Sequence, residues 1–381
     1  MPDLDDQGLR RVVSPDACPA HRLRQATLGA VRPSGACLSG AGASGVSCTT
    51  VNAPDLFLLP VPEEEFGRLE ECLLAMVSQE DPFIDEVASH LVKAGGKRLR
   101  PALAIAAASL SGRVASEQTL LGGVCVELIH LASLYHDDVM DEATRRRNVV
   151  SVNGRWGNLV AIVAGDYLLA RSAEIAASLG IEVAQLVAAT MARLCQGQLS
   201  EVKAAYRVDR SEEAYLSTIA DKTAALMATA CRIGGMTAGL ERAQIETLTQ
   251  FGEYLGVVFQ IRDDVLDIVA SEHELGKPPG QDLAEGIYTL PVQRALADRK
   301  VGPRLRELLG GPLGREEVEI ARELVAGSDG ITFAADVARR YAALAAEAAA
   351  SLGDGEVPQA LSELGVSLLE DLERSTRALA S

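Results

Sequence analysis

The stretch TLLGGVCVELIHLASLYHDDVMD, Thr119 to Asp141, decides the reading of this chain. Up to His136 its apolar residues recur at three- and four-residue spacing, which predicts a long helix from Thr119 to His136. That helix ends at Asp137-Asp138-Val139-Met140-Asp141. On a helix, aspartates four apart share one face, with the middle one alongside. Carboxylates so crowded repel one another unless a cation sits among them. A hard divalent cation with oxygen ligands, Mg²⁺ above all, suits them, and Mg²⁺ keeps positions open for substrate phosphates.

The same spacing returns at Asp263-Asp264-Val265-Leu266-Asp267, at the end of a second predicted helix, Thr247 to Ala270. A charge run is ordinarily a solvated helix face. Here Leu128, Ile129, Leu131, Ala132 and Leu134 lead into the first triplet, and Val257, Val258, Phe259 and Ile261 into the second. Both therefore begin where a buried helix ends. Two such sites facing each other would clamp a diphosphate.

The 381 residues are 48% hydrophobic, enough for one large core or two ordinary ones. With 36 basic and 53 acidic residues the net charge is −17, which disfavours nucleic acid or an anionic membrane surface as a generic partner. Seven cysteines form no CxxC pair, which fits a reducing, cytoplasmic setting. No run of about eighteen apolar residues is free of charge, so no transmembrane segment is expected. Residues 1–55 are expected to be a disordered extension, because Pro33 to Pro54 is mostly Gly, Ser, Ala and Cys. Its arginines suit a targeting peptide and its aspartates do not, and a start codon assigned too far upstream explains it equally well.

Residues 56–381 are expected to form one catalytic domain. From Ala102 to Lys277 there is no proline, and Ala and Leu recur at helical spacing, so the body is all-α. A flexible loop follows from Gly276 to Gly286, then a helix from Tyr288 to Ala297.

Gly95-Gly96-Lys97-Arg98-Leu99-Arg100-Pro101 puts three cations on a turn that opens a helix, where free N–H groups already favour anions. It reads as a second diphosphate pocket, or else as a solvated basic turn. His130 lies two helical turns before Asp137 and can reach the same cavity, although a lone histidine there is ordinarily a core residue. Arg145, Arg146 and Arg147 follow the first triplet, Lys222-Thr223 lies in an Ala-rich helix, and Gln260 sits one turn before Asp263. A buried amide such as Gln260 needs a partner.

Together these residues resemble the trans-isoprenyl diphosphate synthases of the polyprenyl synthetase family, from about Leu59 to the C-terminus. The resemblance rests on GGKRLRP at Gly95, IHLASLYHDDVMDEATRRR at Ile129, GDYLLAR at Gly165, DKTAAL at Asp221, FQIRDDVLD at Phe259 and GKPPGQDLAEG at Gly276. It implies an isoprenoid-synthase-type bundle of antiparallel helices around a deep central cavity, a homodimer, and Mg²⁺-dependent condensation of isopentenyl diphosphate onto an allylic prenyl diphosphate. By resemblance, Lys97, Arg100, His130 and Arg147 would bind isopentenyl diphosphate, and Arg98 among them is a further substrate-binding candidate. Asp137, Asp141 and Asp263 would hold Mg²⁺, supported by Asp138, Asp264 and Asp267. Arg146, Lys222, Thr223, Gln260 and Lys277 would surround the allylic diphosphate and the cation it leaves. The chain departs from the family at Asn148 and Val150, where Gly and Pro are frequent, and at Ile287, where lysine is.

Cys125, Ile129 and Ser133 lie twelve, eight and four residues before Asp137, roughly on its face. They would form a chain-length wall with Ala132. Ala132 and Ser133 are small where short-chain members carry an aromatic plug, so a long-chain product is expected. Tyr135 points to the opposite side. Tyr167 or Leu168 could still cap the tunnel at a C20 product, and a non-catalytic partner subunit is a further alternative. A class I terpene cyclase would mix Asn, Ser or Thr with Glu in its second metal motif, unlike Asp263 to Asp267.

Overall fold

In the computed structural model, residue 59 and residues 61–271 and 278–379 are described, with side chains through Arg374. The expected extension, residues 1–55, and Lys277 lie outside them. All described residues fall in one unit that begins at Val51.

Among the described residues the regular secondary structure is helical, apart from one hairpin of two-residue strands. Helices α1 (Glu63–Val77), α2 (Pro82–Lys93) and α3 (Leu99–Ser109) lead into α4 (Glu117–Met140). Ser116 caps α4 by accepting the Thr119 N–H. The helix runs about one turn beyond the predicted end at His136, so Asp137 and Asp138 are inside it and Asp141 caps it. By length and composition α4 alone among the described helices could cross a membrane. However, 72% of its most apolar window is buried inside the fold, which makes it the core helix.

Strands β1 (Arg145–Arg146) and β2 (Val149–Val150) follow, then α5 (Val152–Trp156), α6 (Asn158–Leu179), α7 (Ile181–Ala204) and α8 (Glu212–Ile219). A single π turn, Ala220–Ala224, joins α8 to α9 (Ala225–Thr237). Helix α10 (Arg242–Val269) starts five residues before the predicted Thr247, on a capping box between Glu241 and Gln244. After it come α11 (Gln281–Ala284), α12 (Leu290–Ala297), α13 (Gly302–Leu308), α14 (Arg315–Ala326), α15 (Gly330–Ala350) and α16 (Glu356–Leu379).

Helix α4 packs against α6, α3 and α9, while α10 packs against α9, α15 and α16. The apolar all-round segment Val337 to Leu352, most of which lies in α15, thus finds its partners within the chain. One apolar cluster surrounds α4, a second gathers around the C-terminal half of α10, and Tyr341 and Leu369 pack against both.

Candidate active site

Both aspartate triplets occupy C-terminal ends of helices, where the backbone dipole is already negative. Asp137 and Asp141 of α4 and Asp264 of α10 line one cleft of about 290 Å³. Glu201, Asp282 and Glu285 add carboxylates, and Arg145, Arg146, Arg210 and Lys222 are the cations on its walls. Burial, with Asp141 and Glu201 nearby, pushes the Asp137 carboxyl up to about 6 against the pull of Lys222 and Arg146. A divalent cation would reverse that.

The remaining aspartates are held by the protein itself. Asp138 is fully buried, with Arg146 on Oδ1 at 2.7 Å and no partner for Oδ2. Asp263 takes Arg262 Nη1 at 2.7 Å, and Arg262 also holds Asp371 of α16. Asp267 is buried and accepts the Asp282 N–H at 3.1 Å, tying α10 to α11. No three carboxylates among the described residues form a ready metal cage. The donor set nevertheless fits Mg²⁺, which keeps waters and substrate oxygens around a few carboxylates.

Gln260 finds its partners in the protein. Thr223 Oγ1 donates to Gln260 Oε1 at 2.7 Å, Gln260 Nε2 donates to Asp264 Oδ1 at 2.7 Å, and the Tyr215 hydroxyl donates to Asp264 Oδ2 at 2.5 Å. Burial pushes the Asp264 carboxyl well up against these bonds. Lys222 pairs with Glu201; burial pulls its ammonium down, but Glu201, Asp137 and Asp141 outweigh this and raise it. It stands in the π turn, a feature frequent at functional sites. Gly197 of α7 allows the approach, since a Cβ there would lie 2.6 Å from the Lys222 backbone nitrogen.

A basic cluster surrounds His130. Burial first, then Arg100, Arg147, Arg146 and Arg98, pulls the imidazole well below its usual value, so it is neutral. The buried Arg100 Nε has no partner. Arg147 donates to the Leu91 and Gly95 carbonyls, and a Cβ on Gly96 would lie 2.7 Å from its guanidinium. Arg147 and Asn148 form the two-residue turn between β1 and β2, both with positive φ. Asn tolerates that conformation, which explains how it stands where glycine is frequent. Lys97 is exposed on the turn before α3.

Two groups of expected site residues lie elsewhere. Arg98 has a left-handed backbone that turns its guanidinium into the core, onto Glu70 at 2.6 Å and Glu127 at 3.0 Å, leaving none of it exposed. Its role is structural. Cys125, Ile129 and Ala132 are buried where α4 meets its neighbours, and Ser133 donates to the His130 carbonyl. None of the four lines the cleft. Tyr135 faces away as expected, its hydroxyl donating to the Val87 carbonyl at 2.8 Å. Ile287 puts an apolar side chain on the cleft wall. Glu201, Arg210 and Tyr215 join the site with no motif to announce them.

A sequence model of the family described as polyprenyl synthetase matches residues 81–326. The nonaprenyl diphosphate synthase of Mycobacterium tuberculosis is 42% identical over 302 residues, 78% of this chain and 90% of that protein. Component 2 of the heptaprenyl diphosphate synthase of Geobacillus stearothermophilus is 42% identical over 239 residues, 62% of this chain and 74% of that protein. Among solved structures, a geranylgeranyl pyrophosphate synthase from Corynebacterium glutamicum, complexed with calcium and isoprenyl diphosphate, is 38% identical with a TM-score of 0.72. That alignment covers 81% of this chain and 95% of the other. With this family match, these relatives and an all-helical fold that ends two aspartate-bearing helices at one cleft, the chain belongs to the polyprenyl synthetase family.

Proposed function

We infer that this chain is a trans-polyprenyl diphosphate synthase, a prenyltransferase that adds isopentenyl diphosphate head to tail onto an allylic prenyl diphosphate and makes a long-chain product. The observation that carries this reading is the single cleft in which Asp137, Asp141 and Asp264 from two helix ends meet Lys222, Arg146 and Gln260. Beside it, Arg100 and Arg147 surround a neutral His130. The long product is supported by the nonaprenyl relative and by the small residues Ala132 and Ser133 above Ile129 and Cys125.

Asp137 and Asp141 would hold Mg²⁺ from the cleft wall, joined by Asp263 on exchanging Arg262 for the metal, with Asp138, Asp264 and Asp267 in support. Bound Mg²⁺ supplies the positive charge that stabilises a departing diphosphate. Lys222, Arg146 and Lys277 would orient the allylic diphosphate, and Thr223 fixes the Gln260 amide on the cleft wall. Lys97, Arg100, Arg147 and His130 hold isopentenyl diphosphate. The allylic C–O bond breaks, its electron pair leaving with diphosphate. The alkene of isopentenyl diphosphate then bonds to the allylic carbon and loses a proton to the released diphosphate. Fixed cations placed where charge develops favour the first of these steps.

A homodimer and a cytoplasmic location belong to the same proposal. The dimer is supported by large apolar side chains exposed on the adjacent helices α6 and α7, among them Leu159, Val163, Ile181, Leu199 and Val202. The location is supported by free thiols at Cys72, Cys125, Cys195 and Cys231. The test incubates purified protein with isopentenyl diphosphate and farnesyl or geranylgeranyl diphosphate, with and without Mg²⁺, and reads product masses. Long products that vanish in EDTA are expected; full activity in EDTA rejects the metal chemistry. The component 2 relative favours one second reading, a subunit that needs a partner, and the absence of elongation with every primer would support it. A product stopping at C20 would favour the short-chain alternative.

A further inference from the structure

The cations on the cleft walls are not equivalent. Arg146 is tied to Asp138, Lys222 to Glu201, and Arg145 Nη2 donates to the Asn148 carbonyl at 2.8 Å. Arg210 differs from the first two in pairing with no carboxylate, and from the exposed Arg145 in being half-buried. Its Nη2 donates to a neutral group, Thr218 Oγ1 at 2.6 Å, and it makes no ion pair among the described residues. An arginine guanidinium has five N–H donors in a planar fork, so one such bond leaves most of them available.

Its position is nonetheless well defined. Arg210 directly precedes Ser211, whose hydroxyl caps α8 by accepting the Ala214 N–H at 3.2 Å. The guanidinium lies over the Tyr215 ring, 5.6 Å from its centre, within the range of a cation–π contact. Tyr215 is buried and its hydroxyl is bonded to Asp264. One tyrosine therefore supports a cation on its face and a carboxylate of the second aspartate triplet at its tip. Burial pulls the guanidinium down, while Glu201, Tyr215 and Asp264 favour its charge from a distance.

We propose that Arg210 is a substrate-contacting residue of the aspartate cleft, the uncommitted donors of its fork taking oxygens of the allylic diphosphate from the segment between α7 and α8. The proposal rests on the function inferred above and adds a residue that the motif resemblance does not include. A cation held by a hydroxyl and a ring in a cleft with six carboxylates on its walls, Asp137, Asp141, Glu201, Asp264, Asp282 and Glu285, is arranged for an incoming anion. Diphosphate offers the planar groups of oxygens that an arginine fork matches and a lysine does not.

The test titrates inorganic diphosphate with Mg²⁺ into wild type, Arg210→Ala and Arg210→Lys by calorimetry, and measures KM for each substrate. Expected for Arg210→Ala is diphosphate binding weaker by roughly 10- to 100-fold, the range for a charged hydrogen bond. KM should rise for the allylic diphosphate and stay unchanged for isopentenyl diphosphate, with Tm held. Lysine should recover only part, having charge without the fork. In a Tyr215→Phe background, which keeps the ring and loses the bond to Asp264, the Arg210→Ala factor should be retained. Diphosphate binding equal to wild type overturns the proposal, as does a parallel rise in both KM values with a fall in Tm. Wild type that neither binds diphosphate nor makes product sinks the functional reading itself, and the role of Arg210 with it.

Discussion

Asp137 shows how the site works against its own fold. Its carboxyl titrates near 6 instead of 3.8 because burial and its acidic neighbours penalise the charge. A carboxyl whose folded pKa lies above its unfolded value costs stability at neutral pH, and the cost fades as pH falls from about 6 towards 4. Asp137→Asn should therefore stabilise the metal-free protein at pH 7 by roughly 1–3 kcal/mol while abolishing turnover. The gain should shrink towards pH 4. Denaturant melts in EDTA at both pH values check it, and an asparagine variant no more stable than wild type at pH 7 would refute it. The pair Asp137 and Asp141 was legible in the sequence because four-residue spacing fixes a shared helix face. The fate of Arg98 was not. In GGKRLRP its charge looks equivalent to those of Lys97 and Arg100, and only the left-handed turn at Arg98 and the distant carboxylates of Glu70 and Glu127 take it inside.

At the scale of elements, the periodicity located α4 and α10 but misjudged their ends. Carboxylates oppose the dipole at a helix C-terminus, which disfavours Asp137 and Asp138 in the last turn. The helix continues to Met140 because Arg146 and Lys222, brought in by other elements, offset that charge. The π turn at Ala220–Ala224 left no trace in the sequence, since one wider turn changes neither composition nor spacing appreciably. It is the element that carries Lys222 to the cleft, and it depends on the close approach of α7 at Gly197. Gly197→Ala would set a methyl 2.6 Å from the Lys222 backbone nitrogen. Backbone cannot yield as a side-chain tip does, so α7 and the π turn should separate. The expected cost is about 1–3 kcal/mol. Turnover should fall further than the loss of folded protein explains, because the Lys222 ammonium moves with the turn. A chemical melt paired with kcat measures both, and unchanged kcat in the folded fraction would show that Lys222 tolerates the shift.

For the whole molecule, the cleft of about 290 Å³ is at the small end of ligand pockets, which run to roughly 1,000 Å³. It suits the diphosphate ends of the substrates and leaves little room for a long prenyl tail. The positions read as a wall, Cys125, Ile129 and Ala132, are packed against neighbouring helices, so a growing chain must part α4 from α6 to pass them. Between these helices Cys125 Sγ lies 3.2 Å from Ser172 Oγ, both buried. Ser172→Cys therefore places two thiols within reach of a disulfide that would lock α4 to α6. When oxidised, this variant should condense normally but release shorter products than wild type, and a reductant should restore the length. Thiol counting establishes that the bond has formed, and Cys125→Ser with Ser172→Cys controls for the cysteines elsewhere. If the cross-linked enzyme makes full-length product, the tail does not run between α4 and α6. Chain length would then be set at another face of the bundle, with Tyr167 the next residue to change.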